Sequence, residues 1–208
     1  YSKIPYFPIF DSLKDLMQTI ISCSCTHSRY LQFPGKYIMW LFKSLSLFRN
    51  STDLKECKGI ISVDFIKKMG RAQVLLATLQ WNRFNHVIDK CNHFYSLLST
   101  ALMLNGYKVH SPNAANITPV SNRISFLVGD RDSFVKYFMD RGIQVGVWFD
   151  QPLSPLPNSS NFLYNSNDYP ESDLLSQHVV NLPCNSRMSI DEVDFIIFCI
   201  IQYANQML

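Results

Sequence analysis

The spacing of hydrophobic positions changes along this chain, and each change predicts a different element. Asp11 to Met17 and Tyr37 to Phe48 read as two short helices, separated by Phe33-Pro34-Gly35, which cannot continue a helix. The second segment is apolar nearly all round. That predicts burial against protein, with a membrane interface or a partner's groove as the other homes for such a helix. The polar run Arg49-Asn50-Ser51-Thr52-Asp53 reads as an exposed connection. From Phe65 onward, Met69, Ala72, Leu75, Leu76, Leu79, Phe84, Val87 and Ile88 recur at helical spacing, predicting a long helix to Leu104 with a bend near Trp81-Asn82. Asn105-Gly106 is its stop, because glycine tolerates the left-handed conformation there.

Beyond that stop the periods alternate. Arg123 to Val128 predicts a strand, and Gly129-Asp130-Arg131-Asp132 opens a helix over Ser133 to Asp140, with Asp130 or Asp132 as N-cap. Gly142 closes that helix, and Ile143 to Phe149, rich in valine and aromatics, predicts a second strand. Pro152, Pro155 and Pro157 mark a loop. Asp168-Tyr-Pro-Glu171 starts a short helix with proline in its first turn and an acid placed to complete a cap. His178 to Leu182 is a short strand halted by Pro183. Ser189-Ile-Asp-Glu192 is a capping box leading into an amphipathic helix on Val193, Ile196, Ile197, Ile200 and Ile201.

The expected fold is therefore α+β: a small mixed or antiparallel sheet of about three or four strands with helices packed on one face. A long helix and a helical N-terminal annex precede it. The domain reading is an annex over 1–60 and a small domain over 61–208. Strand order stays open, since strand–helix–strand units favour parallel crossovers and short connections favour antiparallel pairs.

Composition narrows the function classes. Of 208 residues, 47% are hydrophobic and 17% charged, enough to bury a core and too apolar for a disordered chain. A net charge of +3, with basic residues scattered among acids, gives no nucleic-acid footprint. Only 7 glycines are present, and no Gly-rich phosphate loop occurs. Cysteines at 23, 25, 57, 91, 184 and 199 lack the spacing of a disulfide scaffold, and Tyr1 opens into a polar, Pro-containing segment rather than a signal peptide. Reduced thiols in a cytoplasmic protein are expected. No apolar run approaches the roughly 20 residues of a transmembrane helix.

Candidate chemistry is sparse. Cys23-Ser-Cys25-Thr-His27 carries metal-binding residue types, but a structural zinc site needs four ligands and Cys57 stands alone, so buried or incidental residues are expected. On one helix, Cys91 and His93 point to different faces, and His86 and His93 lie about 10 Å apart along the axis. Asp130, Asp132, Glu171 and Glu192 all have a capping explanation. Neither His110 nor His178 is brought to a particular serine by anything in the sequence. Lys3, Lys67, Lys68 and Lys136 are expected to be solvated rather than catalytic. Lys67, Lys68 and Arg71 form a basic cluster, read either as a solvated helix start or as a phosphate contact.

Several segments, in order, resemble the C-terminal region of the DegT/StrS-type sugar aminotransferases, fold-type I enzymes that use pyridoxal 5′-phosphate. Met69-Gly-Arg-Ala-Gln73, with the Leu-rich helix and Trp81-Asn-Arg-Phe behind it, is similar to the family's R-M-[ST]-x-x-Q-A segment. Arg123 to Val128 with Arg131-Asp-Ser-Phe follows, then Arg141-Gly-Ile-Gln-Val with Trp148-Phe-Asp-Gln-Pro-Leu-Ser-Pro155. Tyr169 to Pro183 and Met188-Ser-Ile-Asp-Glu192 complete the match, which spans residues 60–203. The stretch before residue 60 looks like an apolar insertion found in some members.

The resemblance implies transfer of an amino group from glutamate or glutamine to a keto sugar attached to a nucleotide, within a homodimer. A lysine of the large domain forms a Schiff base with the cofactor, upstream of everything matched here. A family loop, Asn-x-Arg-Met, reaches the phosphate of the neighbouring subunit's cofactor. In this chain its asparagine position is Ile66 and its arginine position Lys68, so Lys68 and Arg71 are the candidate cofactor-phosphate contacts. Isoleucine donates no hydrogen bond, and lysine lacks the guanidinium fork. The histidine that often follows the Pro-Leu pair is Ser154. The chain alone is thus expected to hold no cofactor firmly, to bind no metal and to have no catalytic residue of its own. It needs a large domain or a full-length homologue as partner; the alternative is a non-catalytic interaction module that pairs with such a homologue.

Overall fold

The structure is a computed structural model that describes residues 5–6, 8–27, 30–45, 68–109, 121–148, 151–153 and 164–206. Lys3, the connection at 49–53, Cys57, Ile66, Lys67, His110, Phe149, Ser154, Pro155 and Pro157 lie outside these residues. The chain divides into two compact units, Tyr1–Phe84 and Asn85–Leu208.

In the first unit, α1 (Ile9–Cys25) follows Pro8, with Asp11 in its first turn where the helix dipole favours an acid. It runs past the Asp11–Met17 segment that the pattern singled out, because nothing between Ile20 and Cys25 breaks the ladder. A kinked turn over Leu31–Gly35, with a cis Phe33-Pro34 bond, leads into α2 (Lys36–Ser44). Gly35 is obligatory there, since an added Cβ would strike the carbonyl oxygens of Cys25 and Tyr30. The expected burial of α2 does not hold. No residue of α2 is buried, and Trp40 is 68% exposed, although the helix packs on α1 and on the kinked turn before it.

The predicted long helix is two helices. α3 (Arg71–Trp81) and α4 (Phe84–Leu104) are separated at Asn82-Arg83, and the rings of Trp81 and Phe84 stack at 5.3 Å across the break. Met69 and Gly70 precede α3 outside any helix, with Gly70 extended, although the apolar period ran through them. Leu75 and Leu79, expected on a buried face, are 62% and 52% exposed. α4 ends as predicted: Gly106 takes φ 84°, and Tyr107 N–H reaches back to Leu102 C=O at 3.0 Å.

The second unit is built on β1 (Arg123–Leu127) and β2 (Val179–Pro183), antiparallel with Ile124 opposite Leu182 and Phe126 opposite Val180. These four side chains form the inner face. They share a core with Phe94, Leu98 and Leu102 of α4, with Phe134 and Phe138 of α5 (Arg131–Met139), and with Val193, Ile196, Ile200 and Tyr203 of α7 (Ile190–Gln206). Phe134 and Phe138 stack at 4.3 Å, and Tyr203 meets Phe134 edge-on at 5.0 Å. Between the strands, α6 (Pro170–His178) opens on a proline at its first position.

The α+β class holds, but among the described residues the sheet has two strands where three or four were expected. Val109 makes a single bridge to Phe126, and Gly146 a single bridge to Asn181. The segment after Gly142 cannot extend that bridge into a ladder. Pro183 has no N–H for the rung on one side, and the Val179 N–H on the other is spent on Leu175 C=O at the end of α6. The Asn181 carboxamide fills the gap by donating to Trp148 C=O at 3.0 Å.

Of the predicted caps, Asp130 accepts from the Ser133 N–H at 3.0 Å, and Ser189 and Glu192 form both bonds of a capping box. The cap foreseen before Glu171 does not form. Tyr169 occupies the N-cap position with no side-chain bond, leaving Glu171 and Asp173 in the first turn.

Candidate functional site

Lys68 and Arg71 stand at the start of α3. Lys68 is tethered by its backbone: its N–H donates to Pro5 C=O at 2.9 Å, in a one-residue parallel bridge to Tyr6. Its ammonium lies 4.8 Å from the centre of the Tyr6 ring, within cation–π range. Gly70 is the N-cap, and its N–H donates to Gln73 Oε1 at 2.8 Å, the half of a capping box that a glycine can make. Arg71, the first helical residue, is exposed. The structure thus places both residues at one helix end, three positions apart in sequence. Lys67, the third member of the basic cluster, lies outside the described residues.

Behind this helix end, α1 and α3 are joined by Gln73 Nε2 donating to Asp15 Oδ2 at 3.2 Å. Ser12 is buried against Gly70, and its Oγ would clash with any side chain at that position. A shallow groove of about 490 Å³ runs between Asp15, Thr19 and Cys23 on α1 and Gln73 and Leu76 on α3. Among the described residues that line it there is no lysine, arginine or histidine.

The remaining candidates disperse. Cys23 is exposed and Cys25 buried, as two positions on one helix require, and no group of three or more metal-ligating side chains gathers among the described residues. Cys91 is buried while His93 is exposed. His178 Nδ1 lies 2.9 Å from Val128 C=O, a contact that joins the ends of α6 and β1. Burial pushes the Cys184 thiol up to about 12, with nearby Cys91 adding to the rise and Arg123 opposing it; the thiol donates to Ser121 C=O at 3.2 Å. Asp130 is held below its ordinary value by the Ser133 hydroxyl and amide.

Sequence reasoning passed over Arg123. Its guanidinium carbon lies 5.7 Å from the centre of the Trp148 ring, which is 67% exposed. No local motif announces this pair, because the two side chains are 25 positions apart in sequence and only the fold brings them together.

The comparisons with known proteins place this arrangement. Residues 43–201 match the DegT/DnrJ/EryC1/StrS aminotransferase family, and the chain belongs to that family. No curated protein matches the chain in sequence. Among solved structures, the chain is similar to a protein described as a sugar aminotransferase from Streptococcus pneumoniae. For its PLP form the TM-score is 0.60 and the identity 16%, covering 69% of this chain and 38% of that one. A DegT/DnrJ/EryC1/StrS aminotransferase from Brucella abortus aligns with a TM-score of 0.55 and 21% identity, over 64% of this chain and 35% of that one. An aminotransferase from Streptoalloteichus hindustanus gives 0.54 and 13%, over 71% and 40%. The chain therefore spans well under half the length of these proteins.

The described residues do not fit pyridoxal phosphate as a lysine-bound group. Every described lysine is exposed or half-buried; Lys36, Lys68 and Lys90 rest over the rings of Tyr37, Tyr6 and Phe94.

Proposed function

We propose that this chain is the C-terminal, small-domain part of a fold-type I, pyridoxal-phosphate-dependent sugar aminotransferase. Residues 61–208 form the small domain, and 1–60 an annex at the edge of a large domain. The observation that carries this reading is the family match over residues 43–201, combined with coverage of only 38% of the Streptococcus pneumoniae protein. The enzyme would move an amino group from glutamate or glutamine to a keto sugar on a nucleotide, in the cytoplasm and as a homodimer. Its Schiff-base lysine would come from the large domain, and the chain alone would be inactive. Lys68 and Arg71 would contact the cofactor phosphate across the dimer; their shared position at the start of α3 supports this.

The test is direct. Purified chain mixed with pyridoxal phosphate and reduced with borohydride is expected to carry no specific lysine adduct by mass spectrometry and to show no transamination. A single stoichiometric adduct at one lysine would overturn the reading.

A second reading is a non-catalytic module that pairs with a full-length homologue. The exposed side chains of Phe10, Met17 and Ile20 on α1, and of Trp40 and Leu41 on α2, favour it. Size-exclusion chromatography with and without such a homologue decides: a stable complex is expected, and a well-behaved isolated monomer that ignores the homologue would remove this reading.

A further inference from the structure

The two half-buried arginines of the second unit are treated differently by the fold. Arg131 gives Nη1–H to Ser176 C=O. The Arg123 guanidinium gives no hydrogen bond to an acceptor among the described residues, and none of its N–H donors is buried, so the fork is open to solvent. Two neighbours limit where it lies. Its guanidinium carbon lies 5.7 Å from the centre of the Trp148 ring, within cation–π range, and Nη1 lies against Gly146, where an added Cβ would come within 2.9 Å of it. Trp148 is in turn held by its carbonyl, which accepts from the Asn181 carboxamide at 3.0 Å, and Asn181 Oδ1 accepts from the Ser125 hydroxyl at 2.5 Å. Arg123, Ser125 and Asn181 alternate with the core-facing Ile124, Phe126, Val180 and Leu182, so they belong to the outer face of the β1–β2 ribbon.

We propose that this outer face is an oxyanion-binding site, in which the Arg123 guanidinium, seated on Trp148, takes a carboxylate or phosphate group through its forked N–H donors. The fork matches two oxygens of either group. The indole on one side and Gly146 on the other restrict the side chain, so binding forgoes less of the entropy than a wholly free arginine would lose. The exposed indole offers a flat apolar surface beside the anion, favouring a ligand with an apolar or planar portion next to its charge. The proposal does not depend on the aminotransferase reading, since it concerns binding by this chain alone.

Trp148 is its own reporter. In the full chain carrying Trp40→Phe and Trp81→Phe, fluorescence is titrated with inorganic phosphate, with L-glutamate and with chloride at matched ionic strength. A saturable change with phosphate, glutamate or both, absent with chloride, is expected, and the two arms identify which oxyanion the site prefers. Arg123→Met should abolish saturation, and Arg123→Lys should weaken it about ten-fold by removing the bidentate fork. A response shared with chloride, or one that survives Arg123→Met in a chain with unchanged circular dichroism, overturns the site. Should Arg123→Met fail to fold, unaltered affinity in Arg123→Lys does the same.

Discussion

Ser189 and Glu192 hold each other across the first turn of α7: the Ser189 N–H donates to Glu192 Oε2 at 2.8 Å, and the Glu192 N–H donates to Ser189 Oγ at 3.2 Å. These bonds satisfy two helix-start groups that would otherwise lack intrahelical partners. Because α7 supplies Val193, Ile196, Cys199, Ile200 and Tyr203 to the core, loosening its start is felt by the whole second unit. Ser189→Ala is expected to cost about 1 kcal/mol in urea unfolding. Glu192→Gln, which can still reach back, should cost less than Glu192→Ala.

Phe134 is the centre of the aromatic cluster, fully buried and in ring contact with Tyr107, Phe126, Phe138 and Tyr203. Phe134→Ala leaves a cavity that four rigid rings cannot close. A loss of about 3–5 kcal/mol is expected by chemical denaturation, against less than about 1.5 kcal/mol for the exposed Phe198→Ala.

Asn181 replaces the backbone rung that Val179 cannot supply. Asn181→Leu keeps the branched shape but removes the bond to Trp148 C=O and the acceptor of the Ser125 hydroxyl. A cost of about 1–3 kcal/mol is expected. Hydrogen exchange should accelerate at Gly146 N–H, which pairs with Asn181 C=O at 2.9 Å, while Leu182 keeps its protection.

The Asp130 cap gives α5 a defined pH response. Its carboxylate is held below the ordinary value by Ser133, so its contribution is present above the ordinary carboxylate range and is lost as pH falls through the lowered folded value. Thermal melts of the parent and of Asp130→Ala are expected to differ at pH 7 and to converge toward pH 2. A difference that persists at the acid end would show that the carboxylate charge is not what stabilises the helix start.

Thiol reactivity should sort by burial. Cys23 is exposed, whereas Cys25, Cys91, Cys184 and Cys199 are buried, and the Cys184 thiol is pushed up to about 12. In a chain with Cys57→Ser, one thiol is expected to react rapidly with a disulfide reagent at pH 8, and the rest only on unfolding. As pH rises above 9.0, the ordinary value for Cys184, the unfolded thiol ionises while the buried one stays protonated, so stability should decline.

Much of the second unit was legible in its sequence because its signals are local. The Ser189–Glu192 box, the Asp130 cap, the Gly106 and Gly142 stops and the Pro183 strand end each act within a turn or two of chain. The order of motifs from Met69 to Glu192 likewise pointed to the family that residues 43–201 match. Tertiary structure decided what lies beyond that range. Whether Ile143 to Phe149 makes a strand depended on Val179, whose N–H was already committed to Leu175. Whether the apolar faces of α2 and α3 are covered depended on neighbours, since periodicity says which side is greasy and not what meets it. Arg123 and Trp148 became partners only when β1 and the segment after α5 converged on β2, a convergence that hydrogen-bond geometry imposes and no local pattern encodes.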